Sequence, residues 1–208
     1  MIKNNKRPRR EEVTIDEILR DLEETEAEGY IPVCISMCRT AMKQTTSKDI
    51  NNYFKVRFKL ANYLVNHMSD PPDACDIEEA IRILKNLERN LPAHAKKKRA
   101  DCRKFLGFIY QNREQGNKQR NLKEALKWYT LALRGFTKFT DPQNWAVVSV
   151  ALAEVYENLK ASDRQRNLDK AIQLLSNALN VYTIESFPEE NSIYSLSMEK
   201  LKIKRQEV

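Results

Sequence analysis

The sequence predicts an all-α fold, an α-solenoid of about nine helices packed as antiparallel pairs. Three observations carry that prediction. The eight residues QRNLKEAL beginning at Gln119 recur as QRNLDKAI beginning at Gln165, 46 residues further on, and self-similarity at a fixed stride marks a repeat architecture. Aligned on that repeat, Leu122 falls on Leu168, Ala125 on Ala171, Leu126 on Ile172, Tyr129 on Leu175 and Ala132 on Ala178; the offsets 0, 3, 4, 7 and 10 trace one face of a helix. The 208 residues include only four glycines and seven prolines while 41% are apolar. Material for a core is present, and the turn punctuation of a sandwich or barrel is not.

Taken in order, residues 1–12, MIKNNKRPRREE, read as a disordered basic tail. Residues 14–28 form an acidic helix with Ile15, Ile18, Leu19 and Leu22 as its sticky stripe, and 31–43, with Val33, Cys34, Met37, Cys38 and Ala41, form the second helix of a degenerate pair. Residues 13–48 are therefore an N-terminal cap. Three repeats fill 49–188, each with two helices. The first helices span 49–67, 95–113 and 142–159 and carry KLANYLVN, FLGFIYQN and ALAEVYEN, in which Leu60, Leu106 and Leu152 precede the small residues Ala61, Gly107 and Ala153. The second helices span 76–90, 121–136 and 167–183, with Ile77, Ala80, Ile81, Leu84 and Leu87 of the first copy in the slots aligned above. Asp76, Asn121 and Asn167 stand before the periodic residues as N-caps, with Glu79 and Glu124 suited to capping boxes and Lys170 breaking that detail. Asp141 and Pro142 start the helix carrying Trp145 in the same way. A last helix over 189–204 has Met198 and Glu199 where the other repeats have leucine and a small residue, so 189–208 read as a solvated C-terminal cap and tail.

The small residue after each leucine lets the partner helix approach closely, and a large side chain one turn on fills the space beside it. Leu106, Gly107 and Tyr110, followed by Ala125, Tyr129 and Ala132, resemble the tetratricopeptide repeat. Pro92 falls at that repeat's closing proline. The resemblance covers residues from about 49 to 183. The stride is 45 or 46 residues rather than the usual 34 or so, with the extra length in the turns NREQGNKQRN and NLKASDRQRN and in extended helix ends. It implies a right-handed solenoid whose first helices line a concave groove. The groove positions of the family, carried over residue by residue, are Lys55, Phe58, Asn62 and Val65 in the first copy, Asp101, Lys104, Phe108 and Gln111 in the second, and Val147, Val150, Glu154 and Glu157 in the third. The carboxylate-clamping pattern of some such repeats is absent apart from Asn62. The long copies, with the joins FTDPQNWA and ESFPEENS, are also similar to repeats that precede CHAT protease domains in bacteria.

Catalytic chemistry is not expected. No GxxxxGK, HExxH or GxSxG string occurs, and nothing pairs Cys34, Cys38, Cys75 or Cys102 with His67 or His94. Cys34 and Cys38 lie one turn apart and have the geometry to join His67 and Cys75 around a metal, yet zinc spacing pairs two close couples and a free cysteine is usually a small buried hydrophobe. Neither metal nor cofactor is predicted. The opening residues lack the apolar core of a secretory signal and no run approaches the roughly 20 apolar residues of a membrane span. With four cysteines short of a disulfide framework, the expectation is a cytoplasmic chain without a membrane partner, or a nuclear one if KNNKRPRR is an address.

The formal charge of +7 is concentrated in KNNKRPRR, in Lys96, Lys97, Lys98 and Arg99 continuing to Arg103, and in Lys200 to Arg205. Basic clusters are the footprint of a nucleic-acid binder, and lysines opening a helix oppose its dipole. Two functional readings follow: an adaptor holding a partner peptide or helix in the groove, and a nucleoprotein subunit using the basic clusters. A third, implied by the CHAT-like joins, is a regulatory module for a separately encoded protease. Oligomeric state is not legible.

Overall fold

The computed structural model describes residues 13–66, 73–160 and 163–207; the basic tail at 1–12 and His67 lie outside them. Among the described residues the regular structure is nine α-helices and no strand: α1 (Ile15–Ala27), α2 (Ile31–Gln44), α3 (Ile50–Asn66), α4 (Ala74–Asn90), α5 (Lys96–Asn112), α6 (Lys118–Ala132), α7 (Pro142–Asn158), α8 (Arg164–Leu179) and α9 (Pro188–Gln206). Each packs on the next along the chain, and α5 also meets α3 and α7. No comparable approach joins α4, α6 and α8 to one another. α3, α5 and α7 thus form a layer of their own, the one expected to line the concave inner side. None of the described helices is long and apolar enough to cross a membrane.

The caps lie three or four residues upstream of the predicted ones. Asp73, Asn117 and Asp163 are the N-caps of α4, α6 and α8, accepting from the backbone N–H groups of Cys75, Arg120 and Arg166. Each of these turns already holds an Asx residue at its end, so the polar residues after it become the first helical turn. Asn121 acts as a clasp: buried, it donates through Nδ2 to the carbonyls of Arg113 and Gln115 and closes the long turn between α5 and α6. Glu79 pairs with Arg39 of α2 at 2.8 Å instead of boxing its own helix, and Glu124 lies 3.5 Å from Lys127. A full capping box occurs at α1, between Thr14 and Glu17. Asp141 caps α7 as predicted, with Pro142 behind it.

Packing follows the aligned slots. Leu60, Ala61, Leu64, Leu84, Leu106, Ala125, Ala132, Leu168 and Ala171 are buried, as are Tyr129 and Leu175. A Cβ built on Gly107 would lie 2.5 Å from the Tyr129 ring. The aligned residues of repeats one and three, Ala61 with Leu84 and Ala153 with Leu175, are buried as well. α6 and α8 end earlier than predicted, at Ala132 and Leu179, because the chain there turns to insert Phe136 and Tyr182 into the core. Gly135 allows this turn to rest on α5, since a Cβ there would be 2.6 Å from that of Ala100. The core has two parts that meet at α7. Val148, Leu152 and Val155 belong to the large N-terminal cluster, while Ala146, Val150 and Ala153 belong to a smaller one with α8 and α9.

Replacing Gly107 by Ala should cost about 1–3 kcal/mol through overpacking against Tyr129, read as a lower urea midpoint with unchanged slope. The double variant Gly107→Ala, Tyr129→Leu, which imports the pair found in the flanking repeats, should recover part of that loss in a double-mutant cycle.

Candidate functional site

Three helices of the inner layer build one groove. Along α3, Phe58, Asn62 and Asn66 recur every fourth residue and so share a face; α5 contributes Lys104, Phe105 and Phe108, and α7 contributes Val147 and Ala151. Tyr129 of α6 reaches the floor past Gly107. The hollow is about 400 Å³. Aromatic rings run across it from α3 to α5: Phe54 to Phe58 at 5.0 Å between centroids, Phe58 to Phe105 at 5.7 Å and Phe105 to Phe108 at 6.1 Å. Phe108 and Val147 remain 42% and 44% exposed at its mouth. Phe108 also borders a second cavity of about 150 Å³ at the C-terminal ends of α3 and α5, beside Val65, Asn66 and Asn112.

Of the twelve residues assigned to the groove from sequence, Phe58, Asn62, Lys104, Phe108 and Val147 line it together. Others tie the layer side to side. Lys55 bonds Glu23 of α1 at 2.7 Å, Gln111 donates to Glu154 across α5 and α7 at 2.8 Å, and Glu157 pairs with Lys204 of α9. Lys104 itself donates to Asn144 of α7 at 2.6 Å. Burial pushes the Asp101 carboxyl up, against the opposing pull of Lys104 and Lys97. Val65 and Val150 are corrections, because both are buried, at 6% and 7% exposure. Val65 joins the α3–α4 core and Val150 the cluster that α9 covers. Phe105, Asn66, Ala151 and Tyr129 are lining residues absent from the sequence-based set. Phe105 had a signal in its three-residue spacing from Phe108.

The basic cluster at the start of α5 is largely engaged within the fold. Lys97 bonds the α7 cap Asp141 at 2.8 Å. Arg103 donates to Glu88 of α4 from Nε at 3.0 Å and Nη2 at 2.7 Å, and from Nη1 to the Leu131 carbonyl at 3.1 Å. Arg99 reaches the same Glu88 oxygen at 3.3 Å. Lys98 lies 5.8 Å over the Phe54 ring. Lys96 and Lys98 border, with Lys48 and His94, an open cleft of about 530 Å³. The α5 N-cap is Ala95, which offers no side-chain acceptor. Cys34 and Cys38, raised above as metal ligands, are wholly buried, and burial pushes the Cys38 thiol up to about 12. Cys75 is exposed at the start of α4, and among the described residues no group of three or more His, Cys, Asp or Glu side chains is arranged to hold a metal ion.

Burial raises the Glu88 carboxyl, but the Arg103 and Arg99 bonds and charges outweigh it, so its pKa lies below the ordinary 4.5. A depressed carboxyl stabilises the fold above its unfolded pKa, so that contribution is present above about 4.5 and is lost as the pH falls through the lower folded value. With Arg103 and Glu88 side chains only 16% and 19% exposed, Glu88→Ala should cost on the order of 3 kcal/mol at pH 7 by leaving Arg103 unpaired. The variant's urea stability should also fall less steeply than the parent's below pH 5 or so.

Compared with protein-family models and with curated proteins, the chain matches none of either.

Proposed function

We propose that the chain is a non-catalytic adaptor, a tetratricopeptide-like solenoid that holds a short apolar segment of a partner protein in the groove between α3, α5 and α7. The observation that carries this reading is the half-exposure of Phe108 and Val147 above a floor of stacked phenylalanines. Large side chains left half open at the centre of an inner layer lower solubility, and their open faces are what a docked anchor residue covers. The lining is hydrocarbon, carboxamide and one ammonium, a set suited to holding a ligand. Asn66 donates to Asn62 and Lys104 to Asn144, and the remaining N–H groups of the Lys104 ammonium can serve a partner backbone or an acidic side chain beside the anchor. The nucleic-acid reading has less support: Lys97, Arg99 and Arg103 are committed to Asp141 and Glu88, which leaves Lys96 and Lys98 of the five.

Panning a displayed peptide library on the protein should enrich sequences sharing one large apolar residue. Phe108→Ala with Val147→Ala should weaken the selected peptide about tenfold or more while circular dichroism stays unchanged. Phe58 is the poorer probe, since it is wedged between Phe54 and Phe105. Affinity should respond little to salt between about 50 and 200 mM; a steep fall, together with loss on Lys96→Glu and Lys98→Glu, would instead favour phosphate contacts.

A further inference from the structure

The turns that join α2 to α3, α4 to α5 and α6 to α7 lie side by side on one edge of the stack. Lys48–Asn51 and His94–Lys98 face each other across the open cleft at the start of α5. Lys97 bonds Asp141 at the start of α7, and Gly135 rests against Ala100 and the Lys96 carbonyl. Residues 43–49, 91–98 and 133–141, which make this edge, hold seven Lys or Arg and two Asp. Both carboxylates are used within the subunit. Asp49 accepts from the backbone and side chain of Asn52, and Asp141 accepts from Lys97 and Asn144. Of the seven cations Lys97 is thereby paired, and Lys98 lies over Phe54. The other five, Lys43, Lys48, Lys96, Arg134 and Lys138, are exposed and have no ion-pair partner among the described residues. Like charges gathered on one edge repel one another and raise the local concentration of anions.

Spacing and shape select the ligand. Packed helices lie about 8–10 Å apart, so these five cations spread over about 20 Å from α3 to α7, and a single phosphate or carboxylate reaches only some of them. An extended polyanion reaches them all. Lys48 and Lys96 line a cleft of about 530 Å³, which a chain can enter and a flat bilayer cannot. At the tip of the α6–α7 turn Phe139 is 87% exposed, with the Lys138 ammonium 5.8 Å from its ring centroid, and His94 stands in the cleft wall. Ring faces set among cations suit stacked nucleobases and give nothing to a chain of carboxylates. We infer that this edge binds a single-stranded nucleic acid, with phosphates along the three turns and a base on Phe139. The surface needs none of Lys97, Arg99 and Arg103, which the fold has already engaged. It shares no residue with the hollow between α3, α5 and α7 and does not rest on the adaptor reading.

The test is fluorescence anisotropy of labelled oligo(dT) and oligo(U), each about 20 nucleotides long, titrated with the full chain between about 50 and 200 mM salt. Both strands should bind, and affinity should fall as about the third power of the salt concentration, since each phosphate neutralised on a single strand adds about 0.7 to that exponent. Lys48→Glu with Lys138→Glu should weaken binding about tenfold or more and lower the exponent. Lys123→Glu with Lys200→Glu makes the same change in net charge at exposed positions on α6 and α9 and should stay within about twofold of the parent. Phe139→Ala should weaken binding about fivefold at an unchanged exponent. All five side chains are exposed, so circular dichroism should not move. Any of four results would overturn the proposal: no binding of either strand at the low salt concentration, equal losses in the two charge-reversed pairs, parental affinity in Phe139→Ala, or equal or tighter binding to polyglutamate or to phosphatidylserine vesicles.

Discussion

The stack depends on how closely two helices of a pair can lie, and the residue that sets this in the central repeat is Gly107. Its missing Cβ admits the Tyr129 ring, and the ring in turn forms part of the groove floor. Ala61 and Ala153, also buried, stand at the aligned positions of the flanking repeats. Because neither helix of a pair can bury its apolar stripe alone, each pair needs the next. One small side chain per pair thereby fixes both the internal packing and the surface that the pair presents.

The inner layer is held by a different chemistry from the core beneath it. Ion pairs join α1 to α3 through Glu23 and Lys55 and α7 to α9 through Glu157 and Lys204, while amide and ammonium contacts join α5 to α7. Between α3 and α5 the tie is Phe58 against Phe105. These rings are the apolar part of the layer, and the groove opens where they sit. Exposed ion pairs contribute little to stability, so the side-to-side ties serve mainly to set spacing.

Architecture and slots were legible because they rest on periodicity, which a single sequence displays directly. The repeat stride, the nine helices and the buried identities at Leu84, Ala125 and Leu175 all came from it. Cap positions were not, because Asp73 and Asn117 compete with Asp76 and Asn121 and only the turn geometry decides between them. Five of the assigned groove residues converge, since the first helices do face inward. Val150 does not, because the position of α9 cannot be read from α7. The last helix reads in the sequence as a solvated cap, and its Ile193, Leu196 and Ile203 are exposed in the structure.

The division of the core at α7 gives the chain unequal resistance along its length. The smaller cluster takes only Leu201 of α9 as a buried residue, so local opening is expected to begin with that helix. Opening it strips α9 from Val150, which lies one turn from Val147 on the same helix. Val150 would then be uncovered close to the hollow on the inner face.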